Sequence, residues 1–171
     1  FRFLRSDDTR QLASGNHADR EDFVHAGMKL QHRNVLPGSQ VHDTDAAPQI
    51  SVVLPAHNEE GNVAAMAQRL SAILGALGSY EIIFVDDGST DGTWRILSDV
   101  RQRLPELAPV QNLGPHGFGR AIICGLDQAK GDAVVIMMAD ESDDCRDVVR
   151  YWKLLNEGFD CVFGSRFVHG G

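Results

Sequence analysis

The sequence predicts an α/β domain of three layers, a mostly parallel β-sheet covered by helices on both faces. Three observations carry this. From Ile50 onward, short apolar runs alternate with longer segments whose apolar residues recur at helical spacing. The short runs are almost continuously apolar, as in Ile50-Ser51-Val52-Val53-Leu54, which suits strands buried on both sides. Polar clusters follow Leu54, Val85 and Met138. Right-handed crossovers bring the C-terminal ends of parallel strands to one edge, and ligands of open α/β sheets bind there.

Each element follows from its residues. Ile50–Leu54 is a strand stopped by Pro55. Val63, Met66, Ala67, Leu70, Ile73, Leu74 and Leu77 share a helix face that Gly78 ends. Glu81–Val85 is a second strand. Thr90 or Asp91 caps a helix carrying Trp94, Leu97, Val100 and Leu104 inward, and Pro105 closes it. Residues 108–111 give a weak third strand, followed by a loop with Gly114, Gly117 and Gly119. A helix over Arg120–Lys130 stops at Gly131. Ala133–Met138 is a fourth strand, Arg146–Glu157 a helix, and Asp160–Phe163 a fifth strand.

Residues 1–47 are expected to be a polar, flexible N-terminal arm, and residues 48–171 the folded domain. The arm shows no sustained period of 2 or 3.6, and a short helix is expected near Glu21–Leu30. Its histidines His17, His25, His32 and His42 fit no compact metal spacing and read as solvated. The chain begins on Phe1 and ends on Gly171 with no closing element, so it is expected to be cut at both ends. No signal peptide is visible, and no apolar run approaches the roughly 20 residues that span a bilayer.

A net charge of −8 argues against a nucleic-acid partner, which would call for a basic stripe. It leaves room for an anionic ligand held by helix N-termini or a cation. Cys124, Cys145 and Cys161 form no CxxC pair, so neither zinc nor a redox motif is expected. Cys124 and Cys161 read as small buried hydrophobes in a reducing compartment.

Three clusters could carry chemistry. Pro55-Ala56-His57-Asn58-Glu59-Glu60 runs from a strand end into a helix start. The macrodipole there accounts for Glu59 and Glu60 but not for the other residues of the turn. Asp86-Asp87-Gly88-Ser89-Thr90-Asp91-Gly92 places two adjacent acids at the end of a buried strand. They resist burial unless an N–H donor, a metal or a helix N-terminus meets them. An EF-hand is excluded, because its twelfth position would be Ser98 and an apolar strand precedes the loop. A phosphatase loop needs acids separated by one residue. Gly114–Gly119 reads G-x-x-G-x-G, the wrong spacing for a dinucleotide fingerprint. The third cluster, Met138-Ala139-Asp140-Glu141-Ser142-Asp143-Asp144, offers hard oxygen ligands that suit Mg²⁺ or Mn²⁺ shared with a diphosphate. Asp140, nearest the strand end, is the favoured ligand; a solvated loop and helix cap would explain Asp143 and Asp144.

Taken in order, these segments resemble a family 2 glycosyltransferase of the GT-A fold, most closely the polyprenyl-phosphate (dolichyl-phosphate mannose or glucose synthase-like) branch. The matching stretches are Ser51–Glu60, Val85–Thr93, Asn112-Leu113-Gly114, Gly125-Leu126 with Ala129–Asp132, Met138-Ala139-Asp140 and Gly164-Ser165-Arg166-Phe167. The resemblance implies a Rossmann-like half that binds a UDP- or GDP-hexose. Pro55, Ala56, His57, Asn58 and Glu59 would border the nucleotide. Asp87 would accept a hydrogen bond from the base, with Asp86 supporting the pocket. Gly117, Arg120, Met138 and Ala139 would complete the donor contacts. Asp140 would be the catalytic metal ligand, and Arg166 would approach a phosphate.

The resemblance further implies hexosyl transfer with inversion, to a lipid phosphate acceptor, by a cytoplasmic protein working at the cytoplasmic face of a membrane. The acceptor-binding half and any membrane-associating helices would lie beyond residue 171. The sequence departs from the family in two places. Met138 stands where the metal loop usually has its first acid, and the loop Gly114–Arg120 is longer than usual. A non-catalytic or degenerate nucleotide-sugar-binding domain is therefore the alternative. A nucleotidyltransferase would carry a lysine-containing glycine-rich loop after the first strand, and Pro55–Glu60 has none.

Overall fold

A computed structural model describes residues 2–5 and 48–164. The described residues form a six-stranded sheet in the order β4-β3-β2-β5-β1-β6. Its strands are β1 (Arg2–Arg5), β2 (Ile50–Ala56), β3 (Tyr80–Asp86), β4 (Leu107–Gln111), β5 (Ala133–Ile136) and β6 (Cys161–Phe163). Four helices accompany them: α1 (Val63–Leu74), α2 (Thr93–Arg101), α3 (Phe118–Gln128) and α4 (Asp147–Asn156). Strands β2 to β5 run parallel. The fold is thus the three-layer α/β/α arrangement that the alternation of elements predicts.

The alternating pleat of the strands feeds two cores. Ile50, Val52, Leu54, Ile82, Phe84 and Val135 point to one face, where Val63, Met66 and Leu70 of α1, Leu97 of α2 and Val148 of α4 cover them. Val53, Ile83, Val85 and Val134 point to the other face, where Ala121 of α3 packs. Gly125 lets α3 lie close to the sheet. A Cβ there would collide with Val53 Cγ1 and come within 3.0 Å of Val85 Cγ2. Among the three cysteines, Cys145 is the buried one; the expectation for Cys124 and Cys161 is corrected to half-buried.

Element boundaries shift for physical reasons. The weak third strand exists as β4, an edge strand, which is where Pro109 costs no ladder hydrogen bond on the open side. The fourth strand ends at Ile136 rather than Met138; the next residue, Met137, makes a last bond to the Val53 carbonyl before the chain turns away. Pro55 lies inside β2. Val53 carries its carbonyl toward β5 and Ala56 toward β3, so the missing Pro55 N–H faces the side on which β5 has already ended.

Residues 2–5 are a strand, although no period in residues 1–47 announces one. β1 lies antiparallel between β5 and β6, with Phe3 opposite Val135 on one side and Val162 on the other. The helix expected near Glu21–Leu30 lies outside the described residues.

The tight seating of α3 leads to a test. Gly125→Val should destabilise the domain by about 1–3 kcal/mol through overpacking against Val53 and Val85. Urea unfolding followed by circular dichroism measures it, and an unchanged midpoint would contradict the packing described.

Candidate functional site

The order in which the parallel strands are laid down reverses beside β2. From there the chain moves outward through β3 to β4, then returns to place β5 on the other side of β2. Such a switch point opens a crevice at the strand C-termini. Four loops meet that edge: 57–62 after β2, 87–92 after β3, 112–117 after β4 and 137–146 after β5.

The first two loops are braced together. Asn58 donates its N–H to Ser89 Oγ at 3.0 Å and accepts the Thr90 N–H on Oδ1 at 2.8 Å. Asn58 sits at φ 56°, a left-handed conformation that asparagine tolerates better than most residues. Glu59 N–H reaches Thr93 Oγ1 at 2.8 Å. Glu60 and Asp91 cap each other's loop: Glu60 N–H meets Asp91 Oδ2 at 3.1 Å, and Gly92 N–H meets Glu60 Oε2 at 2.7 Å. Asp91 also accepts the Thr93 N–H at 3.0 Å, so it serves the start of α2 from just outside the helix. His57 donates from Nδ1 to the Asp87 carbonyl oxygen at 2.9 Å, leaving Nε2 to accept from Asn58 Nδ2 at 3.3 Å. The polar turn after β2 thus ties itself to the acidic turn after β3.

Asp87 is the pivot. It is 7% exposed, and its backbone N–H continues the ladder to the Ala56 carbonyl. Its carboxylate accepts Asn112 Nδ2 at 2.6 Å, Gly117 N–H at 2.7 Å and His116 Nδ1 at 3.1 Å. Burial pushes its pKa up, but the hydrogen bonds from Asn112, Gly117 and His116, with the His116 charge, outweigh that and hold it below the usual carboxylate value. Asp86 points elsewhere. Its Oδ1 accepts the Ser89 N–H at 3.1 Å, fixing the turn that Gly88 makes at φ +73°.

The loop after β5 is built differently. Met138 is half-buried, Ala139 buried and Asp140 exposed. Asp140 Oδ1 accepts the Ser142 N–H at 3.0 Å, and Met138 gives its N–H to Asp143 Oδ2 at 2.9 Å. Glu141 pairs with Arg69 of α1 at 3.0 Å. Asp144 is engaged by Arg146, whose hydrogen bonds pull its pKa down to about 2. Among the described residues, no group of three His, Cys, Asp or Glu could hold a cation by itself. One exposed carboxylate at a strand end does fit Mg²⁺ or Mn²⁺ shared with diphosphate oxygens, because such cations keep most of their other ligands as water or phosphate.

The expected site residues Pro55, Ala56, His57, Asn58, Glu59, Asp86 and Asp87 come together through these bonds, and Gly117 joins them at Asp87. Arg120, exposed in the first turn of α3, and Asp140 stand on neighbouring loops of the same edge. Arg166 lies outside the described residues.

Residues 51–171 match the model of Glycosyl transferase family 2. The chain belongs to that family. The family match begins within β2 and takes in the four loops. A dolichol-phosphate mannosyltransferase of Pyrococcus furiosus is 32% identical over 72% of this chain and 34% of its own length. An undecaprenyl-phosphate 4-deoxy-4-formamido-L-arabinose transferase of Aeromonas hydrophila is 33% identical over 66% of this chain and 35% of its own. Among solved structures, glucosyl-3-phosphoglycerate synthase of Mycobacterium tuberculosis in complex with phosphoglyceric acid superposes with a TM-score of 0.52. It is 28% identical, over 65% of this chain and 40% of that one. The chain spans about a third of the length of the curated relatives it matches.

Two site residues of this family 2 domain escape a motif-by-motif reading. Asn112, 9% exposed, and His116 are both donors to Asp87. Asn112 stands in the Asn112-Leu113-Gly114 stretch that carries part of the resemblance, but nothing in that stretch points to Asp87 as its partner; His116 sits in a loop whose glycines attract attention instead.

Asp87 gives a stability test with a defined sign. A folded pKa below the unfolded value of about 3.9 contributes stability above that pH, and this is lost as pH falls through the folded value. Asp87→Asn should cost about 1–3 kcal/mol near neutral pH, since it turns an acceptor of three bonds into a partial donor. It should also flatten the acid limb of a Tm-against-pH curve measured from pH 6 to pH 2. An acid limb identical to wild type would contradict the role given to Asp87.

Proposed function

We propose that this chain is the donor-binding part of a hexosyltransferase that moves a hexose from a UDP- or GDP-hexose to a polyprenyl phosphate, with inversion at the anomeric carbon. The observation that carries the reading is Asp87: a carboxylate nine-tenths buried, kept ionised, at the switch point of a family 2 sheet. A buried anion aimed at a ligand edge is suited to accept N–H groups from a nucleobase. The relatives named for dolichol-phosphate and undecaprenyl-phosphate support the acceptor class.

Roles follow from position. The strand end and turn Pro55–Glu59 wall the nucleotide, and Asp86 holds the turn that presents Asp87. Gly117 and Arg120 face it from the loop after β4 and the start of α3, while Met138 and Ala139 line the approach to Asp140. Asp140 is the residue proposed to hold Mg²⁺ or Mn²⁺, which would supply charge neutralisation on the departing diphosphate. Arg166 is proposed to approach a phosphate. An anionic phosphate acceptor needs no general base, which is consistent with a site in which no carboxylate stands out for that task. Among the described residues no helix is long and apolar enough to cross a membrane. The cytoplasmic face of a membrane, reached through other parts of a longer protein, is the proposed working place.

The test is calorimetric titration of UDP and GDP into the chain with Mn²⁺ and with chelator. Binding should weaken roughly tenfold or more on removing Mn²⁺, about 1.4 kcal/mol per decade. Asp140→Asn should abolish that difference while leaving the chelator value unchanged. Equal affinity with and without Mn²⁺ would favour a non-catalytic nucleotide-sugar-binding domain. No binding of either nucleotide would sink the donor reading.

A further inference from the structure

The carboxylate proposed to read the base is already engaged. Oδ1 of Asp87 accepts both Asn112 and His116, and Oδ2 accepts the Gly117 N–H. A carboxylate offers about four acceptor directions, so three are taken. The Asp87 side chain is 10% exposed, and the imidazole of His116 stands with Nδ1 3.1 Å from its Oδ1. That ring rests on Gly88: a Cβ there would stand 2.6 Å from His116 Cε1 and 2.9 Å from Nε2. No larger residue at position 88 would leave the ring where it is.

The three donors differ in how firmly they are held. Asn112 is buried, its own N–H is bonded to the Asp86 carbonyl, and its side chain also braces Pro115 and Gly114. The His116 side chain is 58% exposed. Residues 113–120 are exposed throughout, and Gly117, at φ +133°, has open space where a Cβ would be. Asn112 is therefore a fixed part of the floor, and so is Gly117, whose carbonyl oxygen accepts the Arg120 N–H at 2.9 Å and the Ala121 N–H at 3.0 Å at the start of α3; His116 is the donor that can withdraw.

We propose that His116 is an internal competitor for the nucleobase: it satisfies Asp87 in the unliganded chain and gives up its place when a nucleotide binds, so that it sets the affinity of the site. The proposal rests on the donor reading of Asp87. Uracil offers one ring N–H and guanine a ring N–H beside an amino N–H, and either can take the place that His116 vacates. Each must displace the same protein donor, so the clasp weakens uridine and guanosine nucleotides by the same factor.

Titration of UDP and GDP into the full chain and two variants tests this. His116→Ala should tighten UDP and GDP binding alike, roughly three- to tenfold, the worth of one hydrogen bond no longer displaced. His116→Gln keeps an N–H donor on a flexible side chain and should stay near wild type, which a merely structural role for the ring would not produce. Unchanged or weakened UDP binding in His116→Ala would overturn the proposal, as would a glutamine variant indistinguishable from alanine. Failure of wild type and both variants to bind either nucleotide would strike the donor reading itself; equal binding by all three strikes the competition alone.

Discussion

A carboxylate at the end of a buried strand must be met by donors, and the edge of this sheet is organised around meeting one. Asp87 takes its backbone bond from β2, its side-chain bonds from the loop after β4, and its neighbour Asp86 holds the turn between them. Three chain segments distant in sequence are thereby drawn to one point. The parallel sheet supplies the geometry, because it delivers their C-terminal ends to the same edge. The hydrogen bonds then convert proximity into a definite arrangement, at a cost in desolvation that the ionised form offsets only while its donors are in place.

The loop after β5 is under a different constraint. Its acids are mostly occupied with local work: Glu141 with Arg69, Asp143 with the Met138 N–H, Asp144 with Arg146. Exposed pairs of this kind contribute little to stability. Asp140 is exposed just past the buried start of the loop, Met137 and Ala139. A site that recruits a cation jointly with a phosphate-bearing ligand has no need of a preformed cage, and this edge shows none among the described residues.

Much of this was legible in the sequence. The strands of the domain and its helices follow from unbroken apolar runs and from spacing, since both signals arise directly from burial on one or two faces. The turn acids announce themselves because adjacent charges after an apolar strand are costly without a reason. What escaped was relational. Nothing in the order of residues says that Asn112 and His116 reach Asp87 across about 25 to 29 positions, since side-chain direction in a glycine-rich loop depends on φ values such as the +133° of Gly117. Strand β1 escaped for a similar reason. A four-residue run carries no readable period, and its place between β5 and β6 is decided by pairing partners more than a hundred residues away.

The brace between the first two loops also governs how the site could be rebuilt. Asn58, Glu59 and Glu60 have their partners at Ser89, Thr90, Asp91, Gly92 and Thr93, with donors and acceptors on both sides. A change on one loop strands a group on the other, so substitutions there couple rather than add. The two turns behave as a single cassette, transferable between scaffolds only as a pair. The loop after β4 supplies the three donors to Asp87 and bonds the Asp86 carbonyl through the Asn112 N–H, so moving the cassette without it would strand a buried carboxylate.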